Sequence, residues 1–416
     1  SPVFKHTYDV LWYDPFLKEK SPEDLPRAKF FKGLGIVIAR SGWDKGDTWF
    51  SFKCGDYFGD HCHLDENSFT IYKAGDLAID SGLYGDDFAS SHWCNYYSRT
   101  IAHNTMLVYN PTERFYGYKM ASLANDGGQE IKLWENGVRM APENYIDSEP
   151  SLPVTWVKNK NKWETGEVTA YKLNKDYCYM SGDAAKAYDF RKLNNFTRRI
   201  LFIFPDYFII LDKVGAQSPD FRKKWVLHTV NEPGIKDNEM IITDKDGRLY
   251  CKALYPKNGS INKIGGYGKE FLVNNKIYPH NGKLFQGNMP GSWRIEIEPL
   301  EPKNEDMFLN VLCASGINEN KRYDIKKIES DNALGASIGL QDLTWVVIFN
   351  TGKDGRISYN IENKGRTRNL VFDLMPDKKY EIKYNGVIFN TLESDENGML
   401  DFEMDKEGTV EITTSG

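Results

Sequence analysis

From Gly33 onward the chain alternates apolar and polar residues, or runs through short apolar stretches, and each stretch is bounded by Gly, Asp or Asn. GIVIAR, TWFSFKCG, SFTIYKAG, LAIDSG and NTMLVYN read as strands rich in β-branched and aromatic residues. FTRRILFIFPDYFIILDKV reads as a hairpin with Pro205-Asp206 at its tip, followed by KKWVLHTV, EMIITD, RLYCKALYP, EFLVNN, WRIEIEP and MFLNVLCASG. No stretch sustains the 3.6-residue period of a helix over about a dozen residues. The pattern predicts an all-β chain of large, packed antiparallel sheets.

The first thirty residues break this pattern. Pro15, Pro22 and Pro26 and the turn-rich SPEDLP predict a linker over 1–30. A charged stretch around 317–330, GINENKRYDIKKIESDN, separates the long strand region from TWVVIFN, NLVFDLM, YEIKYNG, VIFN and GTVEITTS. This places a central domain over 31–322 and a smaller C-terminal β-sandwich over 323–416, in keeping with a length of 416 residues.

Composition narrows the function classes. The chain is 27% charged with a net charge of −6, which argues against a general nucleic-acid surface while allowing a local basic groove. Aromatic residues reach 14%, suiting strands and also stacking on sugar rings. Six cysteines lie scattered without CxxC pairs, so neither a zinc ribbon nor a disulfide framework is expected. No apolar run is long enough to span a membrane. A mature secreted chain has this appearance, and a periplasmic or secreted location is the expectation.

The chemistry concentrates in one region. His61-Cys62-His63 is followed by Asp80 and His103, in a chain with only seven histidines. Residues two apart on an extended segment face the same way, so His61 and His63 would share a cavity. Imidazole and carboxylate together suit Zn²⁺. The alternatives are two partly exposed histidines on a polar loop, or a hydrogen-bonded His-Asp-His cluster without metal. His228, on KKWVLH, reads as a core histidine, and His92 as a loop residue within reach of the cleft.

LPRAKFFKGLGIVIARSGW, the HxH…D segment, RTIAHNT, NDGGQ (125–129), FIILDKV with KKWVLH, and GSWRIEIEP occur in the order found in a known family. In these segments the chain resembles the heparinase II/III-like polysaccharide lyases, heparinase II most closely. The resemblance implies a two-layered β-sheet supersandwich followed by the small sandwich, with the family's N-terminal α/α toroid outside this sequence. It implies β-elimination on a uronate-bearing polysaccharide such as heparin or heparan sulfate. The toroid, in the same polypeptide or a partner chain, would complete the catalytic site, and a homodimer is a further option. His61 would be catalytic, and His63, Asp80 and His103 would hold one zinc of structural role. Tyr97 or Tyr84 would occupy the place of the second tyrosine used by related exolytic alginate lyases. Asp60, Tyr96 and Arg99 would meet substrate. Asp60 departs from the family's asparagine and sets a carboxylate beside a site for an anionic sugar. A uronyl C5-epimerase, an alginate-type lyase and a non-catalytic carbohydrate-binding fragment are the competing readings.

Overall fold

The structure is a computed structural model describing residues 13–57, 62–83, 90–116, 122–130, 134–135, 138–139, 164–280, 291–319, 324–340, 342–352, 355–362 and 365–415. Strands dominate, as the patterning predicts; helical structure among the described residues is confined to short 3₁₀ turns and one helical turn over 91–97 that is π-type at Trp93–Tyr97.

An eight-stranded antiparallel sheet lies at the centre. Its middle is the predicted hairpin, Leu193–Ile203 paired with Tyr207–Ala216, turning through Phe204-Pro205-Asp206. One face packs against a layer made of two smaller sheets. The first has five strands spanning residues 28–78; the second has four, including Met106–Tyr109, Arg222–Thr229 and Trp293–Pro299. Phe50, Phe52, Phe69, Trp225 and Ile295 from that layer meet Ile200, Phe202, Phe208 and Leu312 in the largest core. The two smaller sheets join where Ile79 N donates to His228 O at 3.3 Å.

The other face of the central sheet packs against a second, five-stranded sheet spanning residues 324–404. Tyr179, Leu201, Ile209 and Val311 meet Leu334, Val347, Phe349 and Phe372 there. A four-stranded sheet closes the far side over Tyr359, Tyr380, Val410 and Ile412. The central hairpin is therefore covered on both faces, which is why ILFI and YFIIL are continuously apolar rather than alternating.

One buried side chain runs against this packing. Asn310 lies on Glu305–Gly316 between Ile210 and Ala253, is fully buried, and neither of its amide atoms has a hydrogen-bond partner. An unsatisfied buried amide costs about 1–3 kcal/mol. Asn310→Leu is expected to stabilise the protein by about 1 kcal/mol, read as a higher urea midpoint at unchanged m-value. A lower midpoint would mean that the amide is satisfied by water in solution.

Candidate functional site

Three connections converge at the seam between the two smaller sheets. The loop carrying His63 links Trp49–Lys53 to Ser68–Tyr72, Asp80 lies just beyond Asp76–Ala78, and His103 just before Met106–Tyr109. Asn104 ties them together. Its Nδ2 donates to Phe69 O at 2.8 Å and Ile79 O at 3.0 Å, and its Oδ1 accepts from His228 N at 2.7 Å. Ser81 N donates to Ala102 O at 2.8 Å, drawing Asp80 alongside His103.

His103 is fully buried, and its Nδ1 lies 2.9 Å from Oδ1 of Asp80, whose side chain is 45% exposed. That approach lies off the ring N–H direction, so neither ring nitrogen makes an aligned hydrogen bond. Burial opposes protonation of His103, but the Asp80 carboxylate outweighs it and raises the pKa. His63 stands with its ring centroid 5.1 Å from that of His103. Burial, then the charge of His103, push His63 down to about 4, so it is neutral at neutral pH and keeps a lone pair available. Sequence-predicted His63, Asp80 and His103 are thus neighbours. Among the described residues no three His, Cys, Asp or Glu side chains converge on one point as a metal cage.

Tyr97 comes from the π-type turn and is half-buried. Its ring meets His63 edge-on at 4.7 Å and stacks on His92 at 6.2 Å, placing the tyrosine between two histidines. His92 is buried, with Nδ1 2.7 Å from Tyr278 O; a carbonyl only accepts, so Nδ1 carries the proton. His228 is a core histidine whose Nε2 donates to Ile101 O at 2.8 Å.

Two expected substrate contacts have other places. Tyr96 is 1% exposed, packs on Phe271, and has its hydroxyl 2.8 Å from Ser81 Oγ. Arg99 is also 1% exposed; its guanidinium pairs with Asp126 and lies 4.2 Å above the Phe115 ring. On the π-type turn both rings pack on His92, but Tyr96 is turned into the core while Tyr97 stays partly exposed. Burial leaves Arg99 no route to a polymer. His61, Asp60 and Tyr84 lie outside the described residues.

The supporting groups were not singled out from the sequence. Lys53 pairs with Asp65 and approaches Glu66 Oε1 at 3.5 Å. Burial, partly offset by Lys53, raises Glu66 to about 7. Arg198 is buried: Nε and Nη2 bind Asp212 at 2.6 and 2.9 Å, and Nη1 donates to Asn67 O and Asn104 O at 2.6 and 2.7 Å. The signal available was its phase, because Arg198 falls in step with inward-facing Phe196, Ile200 and Phe202. Gln129, at the end of NDGGQ, is fully buried against Glu66.

The family model for the heparinase II/III-like C-terminal domain matches residues 23–263. Among solved structures, a heparan sulfate lyase from Pedobacter heparinus aligns with a TM-score of 0.52 at 16% identity, covering 85% of this chain and 47% of that one. A heparinase III gene product with methylated lysines aligns at 0.54 and 14% identity, covering 84% and 46%. Another heparinase III structure aligns at 0.50 and 12% identity, covering 80% and 43%. The chain spans about half the length of these structures, and the likeness is one of fold.

Proposed function

This chain belongs to the heparinase II/III-like family, and we propose that it forms the β-sheet half of a polysaccharide lyase acting on a uronate-bearing polymer of the glycosaminoglycan type. The observation that carries the reading is Tyr97 held between His63 and His92 beside the His103–Asp80 pair. β-Elimination requires three services. The C5 carboxylate is neutralised, the C5 proton leaves to a base, and the C4 oxygen departs with a proton while the C4–C5 double bond forms. Tyr97 is a phenol with a histidine on each side, suited to exchanging a proton with the sugar. His61 would sit two residues before His63 and steady the uronate. Tyr84 is a second candidate for the tyrosine role, and Asp60 for substrate contact. The other wall of the cleft would come from an α/α toroid, and the proposal includes that complement. A periplasmic or secreted setting suits a substrate of this size.

The test is to incubate the full-length natural protein with heparan sulfate, dermatan sulfate and alginate and to follow the near-ultraviolet absorbance of the 4,5-unsaturated uronate. Turnover on a glycosaminoglycan supports the proposal; turnover on alginate alone redirects it to the alginate-type reading. Inverted C5 stereochemistry without unsaturation would identify the epimerase instead.

A structural zinc belongs to the same proposal. His63, Asp80 and His103 offer N, O and N donors on neighbouring segments that would have to close on one point to hold the metal, and the buried ring nitrogens of His103 lack aligned hydrogen bonds. Bound there, zinc would supply a brace between three segments. Elemental analysis of protein purified without chelator is expected to give about one zinc per chain, with a fall in melting temperature on chelation. A ratio near zero would leave a His–Asp–His cluster without metal.

A further inference from the structure

Asn125-Asp126-Gly127-Gly128-Gln129 reads as a turn in the sequence, yet it reaches both histidine-bearing segments at once. Toward His103, Asp126 holds Arg99, and its Oδ2 accepts from Ile101 N at 3.2 Å. Gln129 N donates to Thr100 Oγ1 at 2.7 Å. Gly128 makes this approach possible, because a Cβ there would lie 2.5 Å from Thr100 Cβ and Oγ1. Toward His63, the Gln129 amide copies a β-strand partner. Its Oε1 accepts from Glu66 N at 3.0 Å and its Nε2 donates to Glu66 O at 2.9 Å. Thr105 Oγ1 donates to the same Glu66 oxygen at 2.9 Å. The turn is itself fixed from behind, with Gly127 O accepting from Val108 N at 2.7 Å and Gly128 O from Lys192 Nζ at 2.8 Å.

We propose that Gln129 is a positioning residue that sets the distance between the His63 loop and the His103 segment, and through it the contact of His63 with Tyr97. The glutamine touches neither histidine. It grips the backbone three residues after His63 with its side chain, and the Thr100 hydroxyl three residues before His103 with its own N–H. A side-chain amide suits this role because one group offers a donor and an acceptor in the plane of the peptide it binds. Buried at 0% exposure, the pair of bonds is not in competition with water.

The inference rests on the lyase reading only for the activity measured, so the test has two arms. In the first, residues 1–416 are labelled selectively at His and Tyr, and cross-relaxation between the His63 and Tyr97 rings is recorded. At a centroid separation of 4.7 Å it is expected in the wild type and weakened or lost in Gln129→Met. In the second, the full-length natural protein is assayed for unsaturated uronate. Gln129→Met is expected to lower kcat about 100-fold, the scale of a misplacement near 1 Å, with KM changed less than about threefold.

Gln129→Glu guards against a variant that merely fails to fold. A protonated carboxyl presents one acceptor and one donor in the same places. Its titration is framed by Glu66 with Lys53, by Asp126 with Arg99, by Tyr188, and by Lys192 at Gly128 O. Its turnover relative to wild type is expected to recover as pH falls, whereas Gln129→Met shows no recovery. Wild-type ring contacts and wild-type kcat in Gln129→Met would overturn the inference, as would equal pH dependence of the two variants. A silent wild-type enzyme with the expected change in ring contacts would uphold the positioning role and count against the lyase reading alone.

Discussion

Arg198→Met is expected to destabilise the protein by about 3–5 kcal/mol, because it strands the Asp212 carboxylate in a core where both side chains are fully buried. The same change removes the donor shared by Asn67 O and Asn104 O, each of which then lacks one hydrogen bond. Chemical denaturation measures the loss as a lower midpoint. Adding Asp212→Leu removes the unpaired charge and should recover more than half of the deficit. The double variant will not reach wild type if the two carbonyls matter, since no apolar side chain can donate to them. A double variant as stable as wild type would show that the carbonyl contacts contribute nothing. One less stable than either single variant would contradict the assignment of the loss to the stranded charge.

The second large effect concerns activity. In the full-length natural protein, Tyr97→Phe should reduce kcat by about 10²–10⁴-fold, the usual contribution of a positioned proton-transfer group, with little change in melting temperature. Tyr96→Phe is the matched control, one residue away. Its hydroxyl is buried on Ser81, so the change should leave kcat within a small factor and cost about 0.5–1.5 kcal/mol of stability. Steady-state kinetics and thermal melts on both variants separate the two roles. If Tyr97→Phe retains full turnover, the proton passes through another group, and Tyr84 becomes the first to examine.

These two experiments divide along the line between what patterning carries and what packing carries. The strands were legible because period-two alternation and bounding Gly, Asp and Asn residues are local signals. Even the covered faces of the central sheet were written in the unbroken apolar runs ILFI and YFIIL. The hairpin with Pro205-Asp206 at its tip was legible, but its register was not: the turn takes in Phe204 as well, and that sets Arg198 opposite Asp212. The neighbourhood of His63, Asp80 and His103 came from residue type together with a family likeness. Their backbone segments meet because Asn104 and Ser81 bridge three elements remote from one another in the sequence.

What the sequence by itself determined is the all-β class, the existence of the central hairpin and the small set of residues able to do chemistry, since alternation and side-chain type are properties of the chain alone. Only the tertiary structure decided which of two adjacent tyrosines faces His63, because a π-type turn rather than a strand sets their directions. It also decided that Arg99 serves Asp126 instead of a substrate. And it turned NDGGQ from a loop into a clamp, for a glutamine can recognise a peptide group only when folding brings that peptide within hydrogen-bond reach and excludes the water that would otherwise occupy it.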